Sequence, residues 1–557
     1  MSAQVPQPAL ADQLLSIKET LVGIAIAFSM AFVFRGFVIE GFVIPTGSMA
    51  PTLLGQHYKA TGPESGYTWD IGPKASKPFS REDLSVTDPM LGTRVTQGNT
   101  PKQAGDRVFV VKYLDGIHEP KRWDVVVFKN PGTRENYIKR LIGKPGEQIA
   151  LVDGDVFVRD FEPGQTPRNG LAAWAGPGWS VARKSERVQR AVFQPVYDSR
   201  YTPLHPGPGY RAPFEGGPGW TGLAGESASP TYAFSGVGTG TLSWRDAEPI
   251  NDWYPYNEMG GGTTTPHFPV SDIAVAFGVE PEPQPDQDAI RPTVNLTARG
   301  YDFRARLSEA EVTLEMSDQG AQAWHVLDTQ PLPAGAFTPG RVTQVEFWHV
   351  DQTLWFFIDG SLIAGGPDAA TYDLTPAQRV EQATGMPYPD AINRPGYGNG
   401  VTTAGGLADN AMYRKPRLWI DLAGGPAKVH HMSLHRDLHY QINPSKQTHG
   451  GHPDYFPTLT DTRYFVCGDN SPNSADSRLW SMGQGSPDPW VAFEIDPKIP
   501  SVNRALLDDS QMTLLRDTIG TVHRDLLIGQ GFLVYFPAPK RVFGFPVPDL
   551  GRARWIW

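Results

Sequence analysis

NYIKRLIG, residues 136–143, is the stretch on which the architecture turns. On a strand, Tyr137, Lys139 and Leu141 share one face, and Ile138, Arg140 and Ile142 share the other. A half-solvated strand would separate its cations from its apolar residues. Here each face carries one cation among apolar neighbours, so Lys139 or Arg140 has to lie with the more buried side chains. Flanking runs have the same character: DRVFVVKY (106–113), WDVVVFKN (123–130) and EQIALVDGDVFVRD (147–160). They are short, β-branched or aromatic, and bounded by Gly, Pro, Asp and Asn, which predicts a compact antiparallel β core.

Composition agrees with a mainly β protein. The 557 residues exceed one typical domain, and 40% hydrophobic content excludes wholesale disorder. With 59 Gly, 52 Pro, 15 Trp, 27 Phe and 19 Tyr, strands joined by turns and long loops are expected rather than helix bundles. A formal charge of −10 offers no basic stripe for a phosphate backbone, so no nucleic-acid partner is expected. Cys467 is the one cysteine, which excludes an intrachain disulfide and a multi-cysteine metal site.

Upstream, LVGIAIAFSMAFVF (21–34) is short for a membrane span, which wants about 20 residues. Extending it to 14–38, with Lys18 and Arg35 snorkelling, yields a transmembrane anchor behind a polar tail at 1–13. A buried core helix is the competing assignment. Residues 39–160 form the first part of a core, in which 56–104 reads as an insertion, an extended loop or a small subdomain. From 161 to 440 the texture changes to recurrent aromatic strands. VEFWHVDQTLWFFIDGSLIA (345–364) reads as strands joined at Asp351-Gln352 and Asp359-Gly360. That spacing predicts a self-contained β-sandwich folded apart from the core, similar in pattern to concanavalin-like or laminin-G-like sandwiches. Residues 441–557 complete the core and a tail.

GFVIPTGSMAPTLLG (41–55) places Ser48 just beyond the anchor, where it is a candidate nucleophile in need of a base. Histidines are numerous, but none stands in a context that singles it out. His430, His431, His435 and His439 invite a metal site, yet MSLHRDLHYQ around them reads as a strand or turn with alternating sides, and no metal or cofactor is expected. A Gly-x-Ser-x-Gly elbow is missing, which leaves an α/β-hydrolase unsupported. Lysine is the other base. It serves only when burial lowers its pKa by several units from about 10.4. Lys139, among Tyr137, Ile138, Leu141 and Ile142, is the best candidate, against the ordinary alternative of a snorkelling surface lysine.

Three blocks occur in order: IPTGSMAPTL (44–53), YIKR (137–140) and GDNSPNSADSR (468–478). Together they resemble the type I signal peptidases, or leader peptidases, membrane proteases with a Ser/Lys dyad. The resemblance covers roughly 14–55, 105–160 and 455–540, under half of the chain. It implies a signal-peptidase-type antiparallel β catalytic core behind one transmembrane helix. Position by position, it implies Ser48 as nucleophile, Lys139 as general base, and Thr46 with the Ser48 N–H as oxyanion donors. Ser474 would hydrogen-bond the lysine, with Asp476, Arg478 and Arg140 in support, while Gly47 would allow close approach to the substrate. Ser471 stands where the family has arginine, which implies altered loop packing.

The implied function is a membrane-bound serine endopeptidase that removes signal peptides from exported precursors after small residues. Its partners would be those signal peptides and membrane lipid. The implied site of action is a bacterial inner membrane, with the N-terminus cytoplasmic and the catalytic part on the outer face. The alternative is a membrane-tethered module that binds a glycan or protein through the sandwich, on a degenerate peptidase scaffold.

Overall fold

A computed structural model describes residues 10–74, 81–114, 116–130, 135–161, 170–236, 238–260, 267–283, 290–394, 405–443, 448–480, 520–542 and 545–557. The tail assigned to 1–13 lies outside the described residues as far as residue 9. Helix α1 (Leu10–Phe37) contains an apolar stretch, Ile17–Phe37, with a mean hydropathy of 1.8 and no burial. A helix apolar on every side and covered by no protein suits a bilayer, not a soluble core. At its end, Lys112 Nζ donates to Gly36 O (2.7 Å), giving a carbonyl of the last turn a cationic donor.

The chain passes directly into β1 (Ile39–Val43), the edge strand of an antiparallel sheet. Its other members are β2 (Arg107–Lys112), β3 (Val125–Lys129), β4 (Asn136–Gly143), β5 (Arg463–Cys467), β6 (Val522–His523), β7 (Leu527–Phe536) and β8 (Arg554–Trp555). The order is β1-β2-β7-β3-β4-β5-β6, with β8 also beside β7. Segments far apart in sequence therefore alternate in the sheet, and β4 lies between β3 and β5. Lys139 pairs with Val126, while Arg140 pairs with Val125 and Cys467. The expectation that one of these two cations is buried proves too modest: both are, at 4% and 0% exposure. The inner half of β4 is covered on both faces.

The sandwich forms from two antiparallel sheets, of eight and seven strands. Its core includes Tyr232, Phe277, Leu296, Phe347, Phe356 and Leu422, each worth roughly 1.5–3 kcal/mol on full burial. Both turns read from the sequence are present. Asp351 and Gln352 have φ of 48° and 56°, and Asp359 and Gly360 have 48° and 78°, the left-handed pairs that join tight hairpins. Within 56–104, two hairpins, Tyr58–Thr61 with Thr68–Ile71 and Arg81–Thr87 with Arg94–Pro101, share a small core around Trp69, Ile71, Leu84 and Val86.

The sandwich does not stand apart from the core. The hairpin Glu147–Val152/Asp155–Asp160 turns at Asp153-Gly154 and pushes its tip against it. Arg299 donates to Asp153 and Asp272 (2.5 Å each), Arg379 to Asp153 (3.2 Å) and Asp155 (2.6 Å), and Lys184 to Asp351 (2.6 Å). All are buried. Removing one member of such a network leaves uncompensated charge. Arg379→Met is expected to destabilise the protein by about 3–5 kcal/mol, measured as a lowered denaturant midpoint in detergent.

Candidate active site

The Ser48 loop is pinned at both ends. Ile44 N–H donates to Asp106 O (2.9 Å), Asp106 N–H to Leu54 O (2.8 Å), and Leu54 N–H to the Asp106 carboxylate (2.9 Å). Gly105 makes this possible, because a Cβ there would lie 1.8 Å from Ile44 O. Met49 and Leu53 anchor the loop in the core with Val108, Val125 and Val534. Ser48 is left half-buried and Thr46 exposed at the rim.

Lys139 Nζ lies 2.8 Å from Ser48 Oγ and 2.9 Å from Ile138 O. Burial lowers its pKa to about 8, a shift that Asp476, Asp469 and Cys467 partly oppose. Among the described residues, no histidine is hydrogen-bonded to Ser48.

The neighbouring Arg140 points to the other face of β4 and grips Asp469 with two bonds (2.8 and 2.6 Å). Asp469 also accepts from Thr52 Oγ1 (2.5 Å), so one carboxylate ties the lysine strand to the serine loop. Arg478 grips Asp476 in the same way (2.9 and 2.8 Å), and the Asp476 carboxylate accepts from Gly468 N–H (2.8 Å). Burial pushes Asp476 up, but Arg478 and the Gly468 N–H together keep the acid below its usual range. Ser471, the departure from the resembled family, is buried. Its hydroxyl accepts from Arg478 Nη1 (2.6 Å) and Gln441 N–H (2.8 Å), which secures the loop to the segment leaving the sandwich.

One expectation needs correction. Ser474 is buried at 4% exposure, but among the described residues its hydroxyl has no hydrogen-bond partner, Lys139 included; it lies against Gly468. Gly47 also has no room for a side chain: a Cβ there would lie 2.2 Å from the ring of Tyr256, a residue of the sandwich segment. Tyr256 and its neighbour Asn257 are site residues that sequence reasoning missed. Nothing in WYPYNE (253–258) marks it as a partner of a loop some two hundred positions earlier.

His430 and His435 lie on strand Ala427–Arg436, where His430 bonds Glu280 (2.8 Å) and His435 packs against Phe193. Carboxylate oxygens do converge at Asp155, Asp272 and Asp351, within 4.8 Å of one another. Arg379, Arg299 and Lys184 already neutralise them, and burial raises the Asp155 pKa well above the usual carboxylate range. We assign no metal there.

Residues 94–170 match the family described as Signal peptidase, peptidase S26, a span that contains Lys139 but not Ser48. Similar curated proteins include signal peptidase I of Rickettsia typhi, 32% identical over 148 residues, which are 26% of this chain and 44% of that protein. Signal peptidase I of Rickettsia akari is 33% identical over 139 residues, 24% of this chain and 41% of the relative. The chain thus spans less than half the length of these relatives. Solved structures with some likeness include sheep galectin-11 (14% identity, TM-score 0.16, 29% of this chain and 88% of that one). Another is the Emp47p carbohydrate recognition domain (6% identity, TM-score 0.24, 46% and 100%). The chain carries a partial peptidase domain of the S26 type, a membrane-length helix and a large inserted β-sandwich.

The dryness of Lys139 can be measured directly. Reductive ¹³C-methylation followed by NMR titration should find one lysine signal titrating near about 8, absent from Lys139→Met, with exposed lysines near about 10.4.

Proposed function

We propose that the chain is a membrane-anchored serine endopeptidase in which Ser48 is the nucleophile and Lys139 the general base, acting on signal peptides of exported precursors. The observation that carries this is the 2.8 Å approach of a buried, pKa-lowered amine to a half-exposed hydroxyl. With Lys139 neutral, its lone pair accepts the Ser48 proton as Oγ attacks the scissile carbonyl. The Ser48 N–H and the Thr46 hydroxyl stabilise the developing oxyanion, each donor worth about 3 kcal/mol. Protonated Lys139 then donates to the leaving amine, and water activated by the same lysine releases the acyl-enzyme. Asp476, Arg478 and Arg140 hold the lysine strand and the 468–478 loop in place, with Ser474 behind them.

The substrate would pair as an extended strand beside the edge strand β1, with small side chains before the cut. An anchor directly ahead of the Ser48 loop supports a site at a membrane face, and processing of emerging secreted chains would put it outside the inner membrane of a bacterium, N-terminus inward.

A second reading has its own observation. A cavity of about 720 Å³ opens between the 56–104 hairpins and the sandwich, lined by Tyr67, Trp69, Tyr210, Trp244, Trp253 and Tyr254 with Asp88, Arg94 and Glu248. Aromatic faces beside polar groups suit a short saccharide, and the volume falls in the range of small-molecule sites. A binding module on a degenerate peptidase scaffold would use that cavity and leave Ser48 idle.

Ser48→Ala separates the two. Purified in detergent and mixed with a precursor peptide bearing a small-x-small site, the wild type should cleave and the variant should not, with both equally folded. Because the working form of Lys139 is neutral, kcat/KM should climb with pH to half its plateau near about 8. Cleavage retained by Ser48→Ala would sink the peptidase assignment.

A further inference from the structure

The segment Tyr254–Glu258 leaves the sandwich and reaches into the Ser48 loop. Its root is rigid: Arg436 on a sandwich strand donates to Trp253 O (3.2 Å), and Asp252 accepts from Phe268 N–H (2.8 Å) and from Gln441. Its tip is equally held. Glu258 accepts from Thr87 N–H (2.7 Å), Thr87 Oγ1 (3.0 Å) and Arg94 in the 56–104 hairpins. Between these anchors the Tyr256 ring fills the space that a Gly47 Cβ would take, and its hydroxyl donates to Gln56 O (3.1 Å).

Asn257 carries the decisive contact. It is 7% exposed and forms a reciprocal amide pair with Asn470: Asn257 Nδ2 donates to Asn470 Oδ1 (2.7 Å), and Asn470 Nδ2 to Asn257 Oδ1 (2.8 Å). Asn470 Nδ2 also donates to Gly47 O (2.9 Å), and Asn470 N–H to Ser48 O (3.1 Å). Both hydrogens of the Asn470 amide are thus committed, one to Asn257 and one to Gly47. Gly47 C=O and Ser48 N–H belong to one planar peptide group, so a bond that fixes the carbonyl direction also fixes the N–H direction.

We infer that Asn257, supplied by the inserted sandwich, is a positioning residue that aims the Ser48 N–H by locking Asn470 onto Gly47 O. The inference rests on the peptidase reading for its kinetic consequence, while its mechanical part can be tested without it. The sandwich then completes the catalytic scaffold, and its removal would leave the Ser48 loop without a wall on the Gly47 side.

The test is Asn257→Ala in the full chain, with Asn257→Ser, too short to reach Asn470, in reserve if the alanine variant does not fold. Hydrogen exchange of the Ala50 and Asn470 N–H groups, which bond Gly47 O and Ser48 O, should quicken. It should do so also in a Ser48→Ala background. Against a precursor peptide, kcat should fall by about 10–10²-fold with KM and the pH limb unchanged, since a misaimed donor weakens transition-state binding alone. The double variant Asn257→Ala/Asn470→Ala should lose no more than Asn470→Ala, because both act through one contact. Unchanged exchange, an effect on KM alone, or additive losses would overturn the inference. A wild type that cleaves nothing while exchange still responds would remove the peptidase assignment and leave the contact standing.

Discussion

The bidentate pair between Arg140 and Asp469 is the constraint on which the site depends. Both side chains are fully buried, and a buried ion pair holds only when its geometry and remaining bonds are satisfied. Asp469 fills its other capacity with Thr52, and Arg140 with the carbonyls of Trp123 and Trp557. Three pieces of chain therefore meet at one point: the strand that bears Lys139, the loop that bears Ser48 and the 468–478 loop. Arg140 and Lys139 are adjacent and point to opposite faces of β4, so fixing the arginine fixes the register of the lysine.

That placement sets the chemistry. Desolvation alone would push Lys139 further down, and Asp476 and Asp469 pull it back, leaving it near about 8. The acids act at a distance while their nearest charges are Arg478 and Arg140, so the amine feels a muted field. A lysine in that balance is neutral often enough to accept a proton and basic enough to be worth using.

The large insertion is bound into this arrangement at two places. The Asp153 hairpin and its arginines fasten the sandwich to the sheet, and Tyr254–Glu258 reaches the Ser48 loop. A self-contained sandwich on a flexible tether would bury neither Arg379 nor Asn257. Burial of both, with partners on two segments, makes the junction rigid and places an aromatic-lined cavity beside the loop.

Local pattern alone determined a good deal: the strands at 106–160, the left-handed turns at Asp351-Gln352 and Asp359-Gly360, and the apolar helix, whereas Ser48 and Lys139 were matched to each other only through the family resemblance. These are legible because alternation, turn chemistry and short motifs act over a few residues. Three matters were decided only by tertiary structure: that Lys139 and Arg140 are both buried, that Ser474 is buried without reaching the lysine, and that Tyr256 leaves no room for a Cβ at Gly47. Each depends on segments hundreds of positions apart packing against one another. No local periodicity records such a contact, because the physical cause, the space and charge left by a distant neighbour, exists only once the chain has folded.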